Sequence, residues 1–225
     1  FTDLIEYVGR GDVQVRNTTR VFRARLLGTR GSGAPAEIFL LKALGDDRWE
    51  AMVNPGSKLK VGWVVHIAPG FDARIEEITE RGTRLVRLSG AAPVHALIEQ
   101  YGHIPLPPYI ARGDTLIDVE RYQTVYARES GSVAAPTAGL HFTPELLGAI
   151  ESRGARFADV LLHVGAGTFK PVEVDDLSAH LMHEEWYRVS GEAARLANLA
   201  RAEGHRLWAI GTTSLRTLES VVDAE

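Results

Sequence analysis

The segment TPELLGAIESRGARFADVLLHVGAG, residues 143–167, indicates the fold class of the second half of this chain. Thr143 is a good helix N-cap, Pro144 suits the first helical turn, and Gly154 ends the helix. Residues 156–164 are then predicted to form a strand that ends in a glycine-rich loop. A helix that leads into an apolar strand is the repeating unit of α/β proteins.

The same alternation extends in both directions from this segment. A helix is predicted over residues 93–101, where apolar residues recur at helical spacing and Gly102 ends the pattern. Further along, Ser190 caps a helix that Gly204 stops, residues 206–210 form a strand, and a last helix begins near Leu215. We therefore expect a largely parallel sheet, in which ligands bind at the carboxyl ends of the strands. The loops at 135–142, 163–169 and 211–214 are the candidate site loops.

The first half of the chain has a different pattern, with short β-branched or aromatic runs between turn signals. Strands at this spacing are typical of a small antiparallel barrel or sandwich. The predicted strands are residues 20–28, 37–44, 49–53, 64–68, 74–80 and 84–88. We therefore divide the chain into the start of an α/β domain (1–12), a β-barrel domain (13–90), and an α/β domain with the candidate site loops (91–225).

The composition is that of a globular protein, with 45% hydrophobic and 24% charged residues among 225. The absence of cysteine excludes disulfides, thiolate catalysis and iron–sulfur clusters. There is no apolar run long enough for a membrane span and no leader pattern, and a reducing compartment such as the cytoplasm is compatible with this composition. The pattern starts and stops within predicted elements, so we expect the chain to be part of a longer protein.

Charge is distributed unevenly between the two halves. Residues 1–90 contain 14 Lys and Arg against 11 Asp and Glu, whereas residues 91–225 contain 11 against 18. Five arginines occur between Val13 and Ala36 without an acidic residue: Arg16, Arg20, Arg23, Arg25 and Arg30. Such a stripe either contacts the phosphates of a nucleic acid or forms a solvated strand face.

Two of the candidate loops carry recognisable chemistry. The loop with Gly165 and Gly167 is not a dinucleotide fingerprint, because Lys170 and Pro171 stand where a third glycine and a helix should begin. Its glycines allow a ligand to approach closely, or simply form a tight turn. The stretch GTTS at 211–214 offers backbone N–H groups and hydroxyls for an anion, unless it is ordinary capping, and Arg216 lies one turn further on.

Histidines are frequent in and near these loops. His180 and His183 are three residues apart and are followed by Glu184 and Glu185, which invites a metal site. The pattern is not His-Glu-x-x-His, however, and no third ligand is obvious. The alternative is an acid–base cluster, because histidine titrates near neutrality.

Several longer motifs together resemble one family. They are PLPPYI at 105–110, RYQTVY at 121–126, VAAPTAGLHF at 133–142, HVGAGTF at 163–169, HLMHEE at 180–185 and GTTSLRTLE at 211–219. In order and spacing they resemble the S-adenosylmethionine:tRNA ribosyltransferase-isomerases of queuosine biosynthesis. The resemblance implies a multi-domain α/β plus β fold, with an α/β barrel-like domain that carries an inserted antiparallel β-barrel domain.

The resemblance also implies an activity. Such an enzyme transfers and isomerises the ribosyl part of S-adenosylmethionine onto 7-aminomethyl-7-deazaguanine at the wobble position of tRNA. The product is epoxyqueuosine-tRNA, and adenine and methionine are released. S-adenosylmethionine is then a substrate, no separate cofactor or metal is expected, and we expect a cytoplasmic monomer without membrane contact.

Carried onto this sequence, the resemblance assigns roles to individual residues. The implied acid–base groups are His163, His183 and Glu185, with His141 in reserve. The implied substrate-binding residues are Thr137, Gly139, Gly165, Gly167, Thr168, Phe169, Thr212, Thr213 and Arg216. The implied tRNA-binding residues are Arg16, Arg20, Arg23, Arg25, Tyr109, Tyr122 and Tyr126.

Two other functions remain open from the sequence. A non-enzymatic RNA-binding module would bind tRNA without any need for S-adenosylmethionine. A metal-dependent hydrolase that uses His180, His183 and Glu184 would contain stoichiometric metal and lose activity with a chelator.

Overall fold

The computed structural model describes residues 1–107, 109–165, 167 and 184–221. The chain forms two compact units. One contains Phe1–Val21 and Leu116–Glu225, and the other contains Phe22–Thr115. The second unit is thus an insertion in the first, as the family resemblance implies. Across the described residues, no helix combines the length and the apolar character that a bilayer span requires.

Both units contain strands and helices, numbered from the amino end of the chain. The strands are β1 (Val13–Asn17), β2 (Thr19–Val21), β3 (Arg25–Arg30), β4 (Pro35–Gly45), β5 (Arg48–Asn54), β6 (Val64–Ala68), β7 (Phe71–Ile78), β8 (Arg84–Gly90), β9 (Glu129–Ser132), β10 (Arg156–Leu162), β11 (Tyr187–Val189) and β12 (Leu207–Ala209). The α-helices are α1 (Leu4–Tyr7), α2 (Val94–Tyr101), α3 (Leu116–Arg121), α4 (Pro144–Ser152), α5 (Gly191–Ala202) and α6 (Gly211–Val221). Short 3-10 helices cover Gly56–Lys58 and Thr137–His141.

The first unit is built on a four-stranded sheet with the order β11-β10-β1-β12. Strand β1 pairs in parallel with β10 on one side and with β12 on the other, so Val15 lies opposite both Ala158 and Ala209. Strand β11 adds to β10 in the antiparallel direction. A separate parallel pair joins β2 to β9. The predicted parallel α/β architecture is confirmed, and the described strands of this unit form an open sheet.

Alternating residues of β1 serve the two faces of this sheet. Val13 and Val15 are buried in a cluster that includes Ala193 and Leu196 of α5. Arg16, on the opposite face, lies over the ring of Phe157. This period of two is what a strand between two covering layers requires.

The inserted unit is a closed antiparallel barrel with the strand order β3-β4-β5-β8-β7-β6. Its core consists of inward-facing side chains without solvent exposure, among them Leu26, Ile38, Leu40, Phe71 and Ile75. Closure removes the exposed sheet edges on which other chains could pair. The predicted barrel is confirmed, whereas the sequence alone had left a sandwich open.

The limits of the barrel differ from the predicted 13–90. Val13 and Val15 belong to the parallel sheet, because their side chains complete the core beneath α5. The predicted strand 20–28 is two strands, β2 and β3, which belong to different units. Between them the N–H of Ala24 donates to the carbonyl of Phe22, a three-residue turn that ends one strand before the next begins. At the other end, the inserted unit continues past residue 90 to Thr115.

The capping predictions explain two of the helices. The Thr143 hydroxyl accepts a hydrogen bond from the N–H of Leu146 at 3.2 Å, and Ser190 accepts from Ala193 at 3.1 Å. Both helices therefore begin where the sequence predicts. Helix α6 instead begins at Gly211, four residues before the predicted Leu215, so the threonine pair lies inside its first turn.

Candidate functional site

The carboxyl ends of the parallel strands β1 and β10 are held together by Asn17, the last residue of β1. Its side-chain amide donates to the carbonyl of Leu162 at 2.9 Å and accepts from the N–H of the same residue at 3.0 Å. Leu162 ends β10, and His163 follows directly. The sequence between β12 and α6 is the single residue Ile210. The loops after β1 and β10 and the start of α6 are thereby brought to one edge of the sheet.

His163 is packed on both ring faces. The Trp186 indole stacks on one face with 5.1 Å between ring centroids. On the other side lies Gly131, where a Cβ atom would come within 2.5 Å of His163 Cε1. Nδ1 of the imidazole is 2.9 Å from the hydroxyl oxygen of Thr19. The predicted catalytic histidine therefore has one fixed ring orientation.

The surroundings of His163 favour its neutral form. Burial lowers the pKa of His163 below its ordinary 6.5, the negative charge of Glu129 opposes this shift, and the positive charge of Arg188 adds to it. Arg188 and Glu129 form an ion pair with each other. Near neutral pH, His163 is therefore uncharged.

Glu185 connects three parts of this edge. One carboxylate oxygen accepts from the N–H of Gly165 at 2.8 Å, and the other accepts from the Arg216 guanidinium at 2.5 Å. The Glu185 side chain is only 7% exposed, and that of Arg216 is 36% exposed. Both oxygens of this predicted base are thus engaged in fixing the loop after β10 to helix α6.

The amino end of α6 presents the predicted hydroxyls. Thr212 is exposed in the first turn. The hydroxyl oxygens of Thr213 and Ser214 are buried and have no hydrogen-bond partner within the described ranges. Backbone N–H groups of a first helical turn attract an anion, because they carry partial positive charge.

A cavity of about 450 Å³ lies beside the start of α6 in the same unit. Thr137 and His141 line it, together with Gln14, Trp208 and Gly211. The predicted residues Thr137 and His141 therefore share a concave surface with the first residue of α6. The Gln14 amide is buried, and its two polar atoms have no partner among the residues the structure covers.

Gly139 has a structural explanation, and its predicted substrate contact stays a prediction. It is buried, and a Cβ atom there would overlap the hydroxyl of Tyr126. The glycine is therefore explained by the close approach of the 3-10 helix to this ring.

Several predicted residues lie outside the described residues: Thr168, Phe169, His180 and His183. Gly167 is described and half-buried, and Glu184 is exposed. Among the described residues there is no group of three or more His, Cys, Asp or Glu side chains that could hold a metal ion.

The arginines of the predicted stripe belong to both units: Arg16 and Arg20 to the first, and Arg23, Arg25 and Arg30 to the second. Arg16 lies in β1, pairs with Asp159 at 2.6 Å and is sandwiched between the rings of Tyr126 and Phe157. Arg25 forms a two-pronged ion pair with Glu37 on the neighbouring barrel strand. Both arginines are thus paired within their own units, and their contact with tRNA stays a prediction.

The remaining predicted RNA contacts differ in exposure. Arg20 is exposed, and Arg23 lies 3.9 Å from Glu99 with a side chain that is 22% exposed. Tyr109 is 80% exposed. Tyr122 and Tyr126 are buried, and burial raises the pKa of Tyr126 to about 12. Neither of these two rings is available for stacking on a base, because the core of the first unit encloses them.

Sequence reasoning missed the residues that hold His163 in place. Thr19, Ser132 and Trp186 are separated from one another by more than 50 residues and carry no motif of their own. The usable signal was the parallel sheet, because the ends of β1 and β10 must then be neighbours. It could not indicate that β9 lies beside β2 and contributes Gly131 and Ser132.

Comparison with known proteins finds sequence relatives over the whole length of the chain. The sequence profile described as "queuosine biosynthesis protein" matches residues 1–225. Among similar curated proteins, the S-adenosylmethionine:tRNA ribosyltransferase-isomerase of Syntrophomonas wolfei is 50% identical, with 100% of this chain and 64% of that protein covered. The protein of the same name from Moorella thermoacetica is 49% identical, with 100% and 66% covered.

A solved structure is also similar. It is a crystal structure of S-adenosylmethionine tRNA ribosyltransferase from Thermotoga maritima, with 30% identity, a TM-score of 0.37, and coverage of 98% of this chain and 59% of that one. The chain spans about two thirds of the length of the curated relatives. On the profile match over its whole length, the chain belongs to the queuosine biosynthesis protein family.

Proposed function

We propose that the protein to which this chain belongs is an S-adenosylmethionine:tRNA ribosyltransferase-isomerase. It transfers and isomerises the ribosyl group of S-adenosylmethionine onto 7-aminomethyl-7-deazaguanine at the wobble position of tRNA. Adenine and methionine leave, and the tRNA then carries epoxyqueuosine. The relatives that carry this activity in their names are about 50% identical to the chain.

One observation supports this function above all others. Hydrogen bonds connect Gly165, Glu185 and Arg216 at the same sheet edge at which His163 follows β10. This edge is where open parallel sheets bind their ligands. A histidine, a fixed glycine loop and a helix amino end in one place suit a substrate with a sugar, a base and a carboxylate.

The methionine part of the donor is assigned to the amino end of α6. Its carboxylate would accept hydrogen bonds from the first-turn N–H groups and from the exposed Thr212 hydroxyl. Arg216 would share its guanidinium between this carboxylate and Glu185. A substrate carboxylate could not reach an arginine in a fully buried Arg–Glu pair. Arg216 keeps 36% of its side chain exposed and is therefore accessible to the substrate.

The reaction needs several proton transfers. The sulfonium acidifies the neighbouring C5′ hydrogen, adenine leaves more readily when it is protonated, and the aminomethyl group must be neutral before it attacks. Positioned acids and bases typically contribute about 10²–10⁴-fold each to such steps. His183 stays our assignment for one of these roles, and His141, which lines the cavity beside α6, for another.

The tRNA is assigned to Arg20, Arg23 and Tyr109. Arg20 is exposed, and Tyr109 is exposed on the inserted unit, where it could stack on an unpaired base. We also propose that the protein is cytoplasmic, as a tRNA substrate requires, and that it is a monomer.

The decisive experiment incubates the full-length protein with S-adenosylmethionine and tRNA that carries the 7-aminomethyl-7-deazaguanine precursor. Free adenine and epoxyqueuosine-tRNA are the expected products. tRNA binding without adenine release would favour a non-enzymatic RNA-binding module. Stoichiometric metal, together with hydrolysis that a chelator abolishes, would favour the metal-dependent hydrolase.

A further inference from the structure

The hydrogen bonds behind His163 form a chain of three polar groups. The Nδ1 atom of His163 lies 2.9 Å from the Thr19 hydroxyl oxygen, which lies 2.7 Å from the hydroxyl oxygen of Ser132. The N–H of Val164 donates to that same Ser132 oxygen at 2.8 Å. Thr19 and Ser132 have no solvent exposure, so no water competes for these bonds.

The number of hydrogens in this chain fixes its direction. Each hydroxyl has one hydrogen to donate. If Thr19 donated to Ser132, the Ser132 hydrogen would have no acceptor among the described residues, in a place closed to solvent. Buried donors without partners are rare because each costs about 1–3 kcal/mol. The arrangement that satisfies every group has Ser132 donating to Thr19 and Thr19 donating to His163.

This direction determines where His163 carries its proton. An Nδ1 atom that accepts a hydrogen bond has no hydrogen, so the neutral ring carries its hydrogen on Nε2. Protonation of Nδ1 would make the Thr19 oxygen an acceptor of that hydrogen and would leave the hydrogen of either Thr19 or Ser132 without an acceptor among the described residues. Close packing of Trp186 and Gly131 against the imidazole also restricts its orientation.

We propose that Thr19 and Ser132 are positioning residues that hold His163 as a neutral Nε2–H tautomer, so that it acts as a hydrogen-bond donor to the substrate and not as its general base. The atom that could accept a proton, Nδ1, is turned towards Thr19. The Nε2–H group has no hydrogen-bond partner among the described residues and is available to an acceptor atom. This substrate role rests on the proposed function and differs from the acid–base role predicted for His163.

The chemical class of the acceptor follows from this tautomer. A neutral N–H donor stabilises a ring nitrogen or an oxygen on which negative charge develops, without a net charge of its own. The ring nitrogens of the departing adenine and the oxygens of the ribose are the acceptors of this kind in S-adenosylmethionine. A neutral imidazole donor of this type has precedent in triosephosphate isomerase.

The tautomer can be measured without any assay of activity. In the full-length protein with ¹⁵N-labelled histidine, we expect His163 Nδ1 to have the chemical shift of an unprotonated nitrogen and Nε2 that of an N–H, between pH 7.5 and pH 9. A protonated Nδ1 in the neutral ring, or rapid averaging of both tautomers, would overturn the proposal. Because this measurement does not depend on turnover, it tests the tautomer of His163 even if the proposed function is wrong.

Variants test the positioning residue and the role of the ring. Thr19→Val keeps the shape and removes the hydroxyl, so the tautomer preference should disappear, and Thr19→Ser should restore it. An unchanged tautomer in T19V would contradict the proposal.

The role of His163 as a donor is tested by a second pair of variants. His163→Gln keeps an amide N–H near the position of Nε2, and its kcat should exceed that of His163→Ala at least about tenfold. Equal kcat values for the two variants would mean that donation by His163 does not contribute.

Discussion

At the scale of single residues, the site is held by side chains whose polar atoms are already occupied. Both oxygens of Glu185 accept hydrogen bonds, one from a loop N–H and one from Arg216. To remove a proton from a substrate, this carboxylate would first have to release one of its two partners. It is therefore better suited to orienting those partners than to acting as a base. Glu185 is therefore better explained as the tie between the loop after β10 and helix α6.

Replacement of Glu185 by Gln tests this tie. The new amide oxygen can still accept from the N–H of Gly165. The amide NH₂ group, however, is a donor placed against the Arg216 guanidinium, which is also a donor, so the free energy of unfolding should fall by about 1–2 kcal/mol. In a double-mutant cycle with Arg216→Met, the two effects should be non-additive by more than about 0.5 kcal/mol. Glu192→Gln on α5, which is exposed, is the matched control. Additive effects would show that the ion pair does not act as a unit.

Gly131→Ala tests the packing of His163 from the opposite side. The added methyl would lie 2.5 Å from Cε1 of the ring, at a backbone φ of 156°. The imidazole must then leave the Trp186 ring, and we expect kcat to fall about 10–100-fold, since small displacements of catalytic groups have effects of this size. Gly148→Ala on α4, where nothing lies within 4 Å of the new methyl, should leave kcat unchanged. Equal kcat for G131A and wild type would argue against a fixed ring.

At the scale of elements, local signals predicted the helices and barrel strands well, and non-local contacts decided the rest. Thr143 and Ser190 cap helices where they were predicted to, and β6 has the predicted bounds. The fate of Val13–Asn17 could not be predicted, because an apolar alternating run fits a barrel and a parallel sheet equally well. Its partners β10 and β12 lie more than 130 residues away.

Asp12 has a comparable long-range role at the entry to β1. Its carboxylate accepts from the N–H groups of Gly9 and Arg206 and from the Trp208 indole, and it pairs with the Arg206 side chain. Burial by itself raises the pKa of Asp12, but these hydrogen bonds and the Arg206 charge outweigh it, so the pKa lies below the ordinary 3.8. A single carboxylate thus fixes the start of β12 beside β1.

Asp12→Asn should therefore destabilise the fold in a pH-dependent way. Because the folded-state pKa of Asp12 is lowered, its contribution is complete above the unfolded-state pKa and is lost as the pH falls through the folded-state value. In urea unfolding at pH 7, we expect the free energy of unfolding of D12N to be about 2–3 kcal/mol lower than that of the wild type. At pH 3 the difference should be smaller. Asp3→Asn, at an exposed position, is the control. A difference that stays constant with pH would exclude a charged Asp12 as the cause.

At the scale of the whole molecule, part of the positive charge of the first half is paired within each unit. Of the five arginines between residues 13 and 36, Arg16 and Arg25 are neutralised by Asp159 and Glu37 within their own units. The charges can be counted in the sequence, but their partners cannot be identified there, since Asp159 is 143 residues from Arg16. Of the other arginines in this segment, Arg20 is exposed and is the first candidate for an electrostatic contribution to RNA binding.

The double variant Arg20→Ala/Arg23→Ala tests that remaining contribution on tRNA binding. Each phosphate contact to single-stranded RNA contributes about 0.7 to the slope of log K against log salt. If both arginines contact the anticodon loop, the slope should become shallower by about 1.4, with weaker binding at low salt. Arg74→Ala/Arg81→Ala, two exposed barrel arginines, should leave the slope unchanged. The same slope for both variants and wild type would show that Arg20 and Arg23 are ordinary surface residues and would direct the search for the RNA contact elsewhere.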